Sequence, residues 1–120
     1  MILSDTRDLI LVDELREYPH TRLPFKHWSH MVSDESFDEL HAFAAQLGIP
    51  RHRFQGDHYD LPDFVHARAV AAGAVEVGTR ELTARMVGPR GDRVRARRQA
   101  RASAVHAAQP THGERAQEGR

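Results

Sequence analysis

Large apolar side chains all but stop at Gly88-Pro89, and that break limits what the chain can fold into. From Pro89 to Arg120 the only large aliphatic residues are Val94 and Val105, set in a run rich in Ala, Arg, Gln and Gly. Such a segment cannot bury enough apolar area to offset the entropy of ordering it, so a tail over 89–120 that is disordered in isolation is expected. The Ala and Arg run from Val94 to Ala108 could become helical on a partner, with Pro110 stopping it. Residues 1–88 suffice for a single α/β domain with one core and leave no room for a second. Charge divides at the same point. Residues 1–88 carry nine basic and fourteen acidic side chains against eight and three in 89–120, so a formal net charge of +0 conceals an acidic body and a basic tail.

Within the body, short apolar runs are punctuated by glycine and proline. Leu9 to Asp13 reads as a buried strand ending in a carboxylate, and Glu14 to His27, with Pro19 and Pro24, reads as a loop. Trp28 to Val32 is a second strand, with Trp28, His30 and Val32 on one face. Ser36 and Glu39 match a capping box ahead of Phe37, Leu40, Ala44 and Leu47 at helical spacing; a helix over Phe37 to Leu47 is predicted, closed by Gly48 and Pro50. Arg53 to Gln55 forms a short third strand, and Gly56-Asp57 turns the chain. Pro62 opens a second helix capped by Asp60 or Leu61, with Phe64, Val65, Ala69 and Ala72 facing the core and Gly73 ending it. Ala74 to Val77 is a fourth strand, and Thr79 caps a third helix that buries Leu82 and Met86. Strands alternating with helices of this length predict a small layered α/β fold: a mostly parallel sheet of four short strands, three helices and a disordered C-terminal tail.

The chain has no cysteine, which excludes disulfides, thiolate zinc sites and cysteine nucleophiles. It has nine histidines, and imidazole and carboxylate groups together can share a metal ion or a proton at neutral pH. In a parallel sheet, sites gather outside the carboxyl ends of the strands. That rule puts Asp13, Ser33 with Asp34, His58 with Asp60, and Thr79 with Glu81 on one rim. The candidate catalytic residues are therefore Asp13, His30, His58 and Asp60, and the candidate ligands of a divalent metal ion are Asp13, Asp34, His58 and Asp60. An antiparallel pairing of the first two strands would instead separate Asp13 from Asp34.

Plainer roles stand beside these. Asp60 can be a simple helix cap, His30 can be fixed by a neighbouring carboxylate, His41 borders the apolar stripe of the first helix, and Tyr59 can be a packed aromatic. His27 and His30 point to opposite sides of a strand and so do not share a ligand. Ser29 and Ser33 lack a glycine elbow, and the glycines form no phosphate-binding loop. His20, His52, His66, His106 and His112 read as exposed and incidental.

Taken together, Leu11-Val12-Asp13, the run from Trp28 to Asp34, Asp57-His58-Tyr59-Asp60 and Gly73-Ala74-Val75-Glu76-Val77 resemble the bacterial DUF4031 family over about residues 9–88. The resemblance implies no activity, ligand or catalytic residue.

Two functions from different classes remain open. One is a metal-dependent hydrolase or phosphoesterase-like enzyme, in which the rim holds a divalent ion. The other is a non-catalytic binding module for an anionic ligand or protein partner, with polyanion contact through Arg90, Arg93, Arg95, Arg97, Arg98 and Arg101 of the tail. No aromatic residue interleaves these arginines, so base stacking in the manner of single-strand binders is not supported. No cationic start precedes a long apolar run and no segment is long enough to span a bilayer, so a cytoplasmic protein without membrane contact is expected.

Overall fold

The computed structural model describes residues 9–20, 22 and 24–108. Five short strands form one mixed sheet: β1 (Ile10–Val12), β2 (Arg16–Glu17), β3 (His27–Ser33), β4 (Tyr59–Pro62) and β5 (Val75–Glu76). Four helices accompany it among the described residues, α1 (Phe37–Gln46), α2 (Asp63–Ala71), α3 (Thr79–Arg85) and α4 (Pro89–Ala108), with a 3-10 turn at Arg51–Arg53.

β3 is the central strand. Met31 pairs with Val12 on one edge and Tyr59 on the other, while Trp28 pairs with Arg16 and Pro62. β1 and β2 therefore lie end to end along one edge of β3, and β4 lies along the other. Between the pairs Val12–Met31 and Arg16–Trp28 the chain advances four residues on one side and three on the other. The extra residue is a bulge directly after β1, a feature that bends a strand and re-aims its side chains. β5 closes the far edge, parallel to β1.

The expected mostly parallel sheet is thus corrected to a mixed one in which only β1 with β5 runs parallel. Strand patterning carries the period of the side chains but not the direction of the partner, so it could not decide this. The loop expected over 14–27 contains β2. Residues 53–55 form no strand; the 3-10 turn and a single bridge from Phe54 to Tyr59 stand there, and the strand lies at Tyr59–Pro62.

Alternation divides the sheet into two faces. Ile10, Val12, Met31, Tyr59 and Leu61 pack with Leu40, Ala44, Val65 and Ala69 from α1 and α2 in the main core. Each large aliphatic side chain buried there contributes roughly 1.5–3 kcal/mol. Leu11 and Val32 on the opposite face pack with Leu82 and Met86 beside α3. α3 covers only one end of that face, and the stretch around Trp28, His30 and Asp60 stays partly open.

Local signals account for the helix ends. The Ser36 side chain accepts from the Glu39 amide at 3.0 Å, but the reciprocal half of the capping box is absent: Glu39 accepts from the Ser33 hydroxyl, and Ser33 Oγ accepts from the Ser36 amide. Gly48 at φ 78° closes α1, with the Ile49 amide donating to the Ala44 carbonyl. α2 begins after Pro62, so neither Asp60 nor Leu61 caps it. Phe64 and Ala72, expected in the core, are exposed.

The largest departure is α4. Residues 89–108, expected to be disordered, form a helix of 20 residues; the remainder of that tail lies outside the described residues. Alanine and arginine are strong helix formers, and α3 supplies the packing partner that the composition does not reveal. Arg95 donates to the Ala84 and Met86 carbonyls at the end of α3, at 3.1 and 2.8 Å. Gly91 is buried so close to the Met86 carbonyl that a Cβ would sit 1.9 Å from its oxygen. Among the described residues, no helix is long and apolar enough to cross a membrane.

Candidate functional site

The bulge after β1 makes Asp13 the organising residue of the site. Its amide donates to the His30 carbonyl at 3.2 Å, as an antiparallel ladder requires, but the return bond is different. The His30 amide donates to Asp13 Oδ1 at 2.7 Å, so a side chain takes the place of the main-chain carbonyl. That carbonyl is left to accept from His66 Nε2 at 3.1 Å, and His66 also lies 3.2 Å from Glu76 Oε1. His66 is buried and holds the strand end, contrary to the expectation that it is exposed and incidental.

Asp13 Oδ2 meets His30 Nδ1 at 2.9 Å and accepts from the Thr79 hydroxyl at 2.8 Å. Asp13 is 1% exposed. Burial pushes its carboxyl up, but the bonds from the His30 ring and amide and from Thr79 outweigh it and hold the group below its ordinary range. An ionised Asp13 requires a proton on His30 Nδ1, which leaves Nε2 of the neutral ring with a free lone pair.

Across the β3–β4 pairing, His30 stands opposite Asp60. His30 Nε2 lies 4.0 Å from Asp60 Oδ1, and His58 Nε2 lies 3.1 Å from the same oxygen. The two imidazoles meet edge to face with ring centroids 5.3 Å apart. His58 Nδ1 bonds Asp57 Oδ1 at 2.7 Å, repeating for the second ring what Asp13 does for the first. Arg90 Nε, at the start of α4, lies 3.3 Å from the other Asp57 oxygen.

One potential ligand atom from each of His30, His58 and Asp60 falls within 4.8 Å of the others, a spacing that a small inward movement converts to the ligand set of a metal ion. Desolvation pushes the His58 imidazole down, and the bonds to Asp60 and Asp57 overcome it and raise the group above its ordinary value. The same His58 bond holds the Asp60 carboxyl below its ordinary range against the effect of burial. Mutual stabilisation of an imidazolium and a carboxylate is what a dication replaces when it binds. His30 and Asp60 side chains are 35% and 42% exposed, so the cluster opens to solvent on one side.

Of the residues singled out from the sequence, Asp13, His30, His58 and Asp60 converge here, but Asp13 stands behind His30 rather than among the inner three. Asp34 does not join them. It accepts from the Leu9 amide at 2.8 Å and from Arg85 at 3.0 Å, at the other end of the β1–β3 ladder. Antiparallel pairing brings Asp13 to His30 and removes Asp34 from the rim. Asp60 is no helix cap, and its carboxylate is turned to the imidazoles. His41 bonds the hydroxyl of the buried Tyr59 at 2.8 Å, as the plainer reading had it, whereas Ser33, expected on the rim with Asp34, serves the start of α1. Asp57 and Arg90 were missed as site residues. The adjacency of Asp57 to His58 was the available signal for the first, and no local signal marks the second.

A family model described as a protein of unknown function, DUF4031, matches residues 10–88. No curated protein and no solved structure matches the chain.

Proposed function

The chain belongs to the DUF4031 family, whose description names no activity, and we propose from its geometry that it is a metal-dependent hydrolase of the phosphoesterase kind. One observation carries this reading: the Nε2 atoms of His30 and His58 converge on one oxygen of Asp60, while each Nδ1 is held by a separate carboxylate. A carboxylate behind each ligating imidazole fixes its tautomer and orientation and raises its basicity. A salt bridge needs only one such imidazole, and a second backed imidazole 4.0 Å from the same oxygen supports a metal site.

Two nitrogens and one carboxylate oxygen favour zinc, manganese or iron over magnesium or calcium, which take all-oxygen sets. A divalent ion bound there would supply Lewis acidity for a phosphoryl oxygen and for water at neutral pH. His30, His58 and Asp60 would hold it, Asp13 and Asp57 orient the two rings, and the open side would admit substrate. The ligand set is thus revised from Asp13, Asp34, His58 and Asp60 to His30, His58 and Asp60.

Metal analysis of the purified protein, with thermal unfolding in Zn, Mn and Mg salts, tests the reading. A ligand of the folded state raises the unfolding temperature by linkage, so Zn or Mn is expected to raise it and Mg to do so far less. His58→Ala and Asp60→Ala are expected to abolish both that rise and metal-dependent hydrolysis of bis(4-nitrophenyl) phosphate. Stability indifferent to every metal overturns the proposal.

A further inference from the structure

α4 runs back along α3, and the crevice between them, about 300 Å³, is lined by Thr79, Arg80, Thr83, Arg97, Arg98 and Arg101. Four guanidinium groups thus border one small space. The carboxylate facing them is Glu81, whose Oε1 lies 4.0 Å from Arg98. Like charges gathered this way repel unless an anion lies among them, and the two threonines add hydroxyl donors. The acidic character of residues 1–88 opposes a polyanion on the folded body, so α4 is the element that would have to carry such a contact.

The crevice wall and the start of α4 each touch a residue that backs the His30–His58–Asp60 cluster. Thr79 in its wall donates to Asp13, which orients His30. Arg90, at the start of the same basic helix, meets Asp57, which orients His58. Arg90 to Arg101 covers roughly 17 Å of helix at 1.5 Å per residue. A row of cations that long suits the successive phosphates of a polymer better than one free phosphate.

On the other side of the cluster, Asp60 borders a groove of about 420 Å³ that contains Phe25, Trp28 and Phe64. Phe25 and Phe64 are 40% and 50% exposed, with ring centroids 5.0 Å apart. Trp28 is two residues from His30 on the same face of β3, roughly 7 Å along the strand. Flat exposed rings beside a phosphate-handling centre offer platforms for bases that are not stacked in a duplex.

We propose that the α3–α4 crevice is a backbone track for single-stranded nucleic acid, leading it across the His30–His58–Asp60 cluster to a base platform at Trp28. Only the chemical step rests on the metal-dependent reading above. In that step one P–O bond forms from water and one P–O bond to a sugar oxygen breaks. The proton from water ends on that departing oxygen.

The test is binding of a fluorescent twelve-nucleotide single-stranded DNA to the full chain in EDTA, followed by anisotropy across salt. Affinity is expected to fall with salt at a log–log slope of about −3, the value for some four neutralised phosphates on a single strand. The double variant Arg97→Ala/Arg101→Ala weakens binding at least tenfold and makes the slope shallower by about 1.4, whereas Arg51→Ala leaves both unchanged. Trp28 is the single tryptophan of the chain, so its fluorescence reports the platform without any substitution. Oligonucleotide quenches it, and inorganic polyphosphate at equal phosphate concentration does not. No binding at low salt, affinity indifferent to the arginine exchanges, or equal competition by polyphosphate each overturns the track. His58→Ala keeps the binding but not metal-dependent cleavage. Wild-type binding without cleavage in Zn or Mn leaves the track standing and overturns the hydrolase reading alone.

Discussion

Asp13 and Asp34 stand at opposite ends of the same antiparallel β1–β3 ladder, and each accepts a main-chain amide with one carboxylate oxygen. Their second oxygens differ. Asp34 gives its own to Arg85, and the result is a staple between β3 and α3. Asp13 gives its own to an imidazole, whose far nitrogen then faces a second histidine and a third carboxylate. The same residue type in the same kind of strand-end bond makes a fixed joint at one end and the back of the proposed ligand set at the other. The partner's chemistry makes the difference: a guanidinium only donates, whereas a neutral imidazole also carries a lone pair.

Substitution at both ends gives the largest effect. Asp13→Ala strands a buried ring nitrogen, an amide and a hydroxyl, and is expected to cost about 2–4 kcal/mol in denaturant unfolding and tenfold to a hundredfold in zinc affinity. Asp34→Ala is expected to cost about 1–2 kcal/mol, because Arg85 can turn to water, and to leave zinc affinity unchanged. Equal losses of affinity in the two variants would erase the distinction between the ends.

pH separates the ends more gently. The folded-state value of His58 lies above its unfolded one, so the stability it confers on the metal-free protein is full below about pH 6.5 and fades as pH rises through the higher folded value. Asp60, lowered in the fold, contributes above about pH 3.9 and loses that contribution as pH falls through its depressed value. Urea unfolding in EDTA between pH 5 and 9 should therefore show a decline that His58→Gln removes and Asp34→Ala retains. With zinc the trend reverses, since the ion takes the imidazole without its proton.

The smallest effect lies on the opposite face of β3. Ser29 Oγ is buried with no hydrogen-bond partner among the described residues. Ser29→Ala should be neutral or stabilise by up to about 1 kcal/mol in the same unfolding assay, with metal affinity unmoved. A loss there would mean that the hydroxyl has a bound partner, such as a water, and that the two faces of β3 are less distinct than described.

Much of this was legible in local terms. The strand at Ile10–Val12, the helix from Phe37, its Ser36 cap and its Gly48 stop all follow from spacing and from residues whose preferences act within a few positions. Thr79 after the last strand was placed on the Asp13 rim, and the parallel β1–β5 pair puts it there. β4 was hidden because Pro62, a good helix opener, also serves at an edge strand whose last residue it is. α4 was hidden because its own apolar content is too small, and its docking depends on Gly91 and Arg95 meeting the end of another helix. His66 was taken as incidental because its acceptor is a carbonyl more than fifty positions away.

By itself the sequence determined which segments are apolar, where several helices begin and end, and that imidazoles and carboxylates occur in adequate supply between residues 13 and 60. Only the tertiary structure decided that β1 and β3 run antiparallel, that Asp13 therefore backs His30, and that Asp34 is spent on Arg85. The reason is physical: a strand's alternation is the same whichever way its neighbour runs, and that direction is fixed by loop closure and packing between residues far apart in the chain.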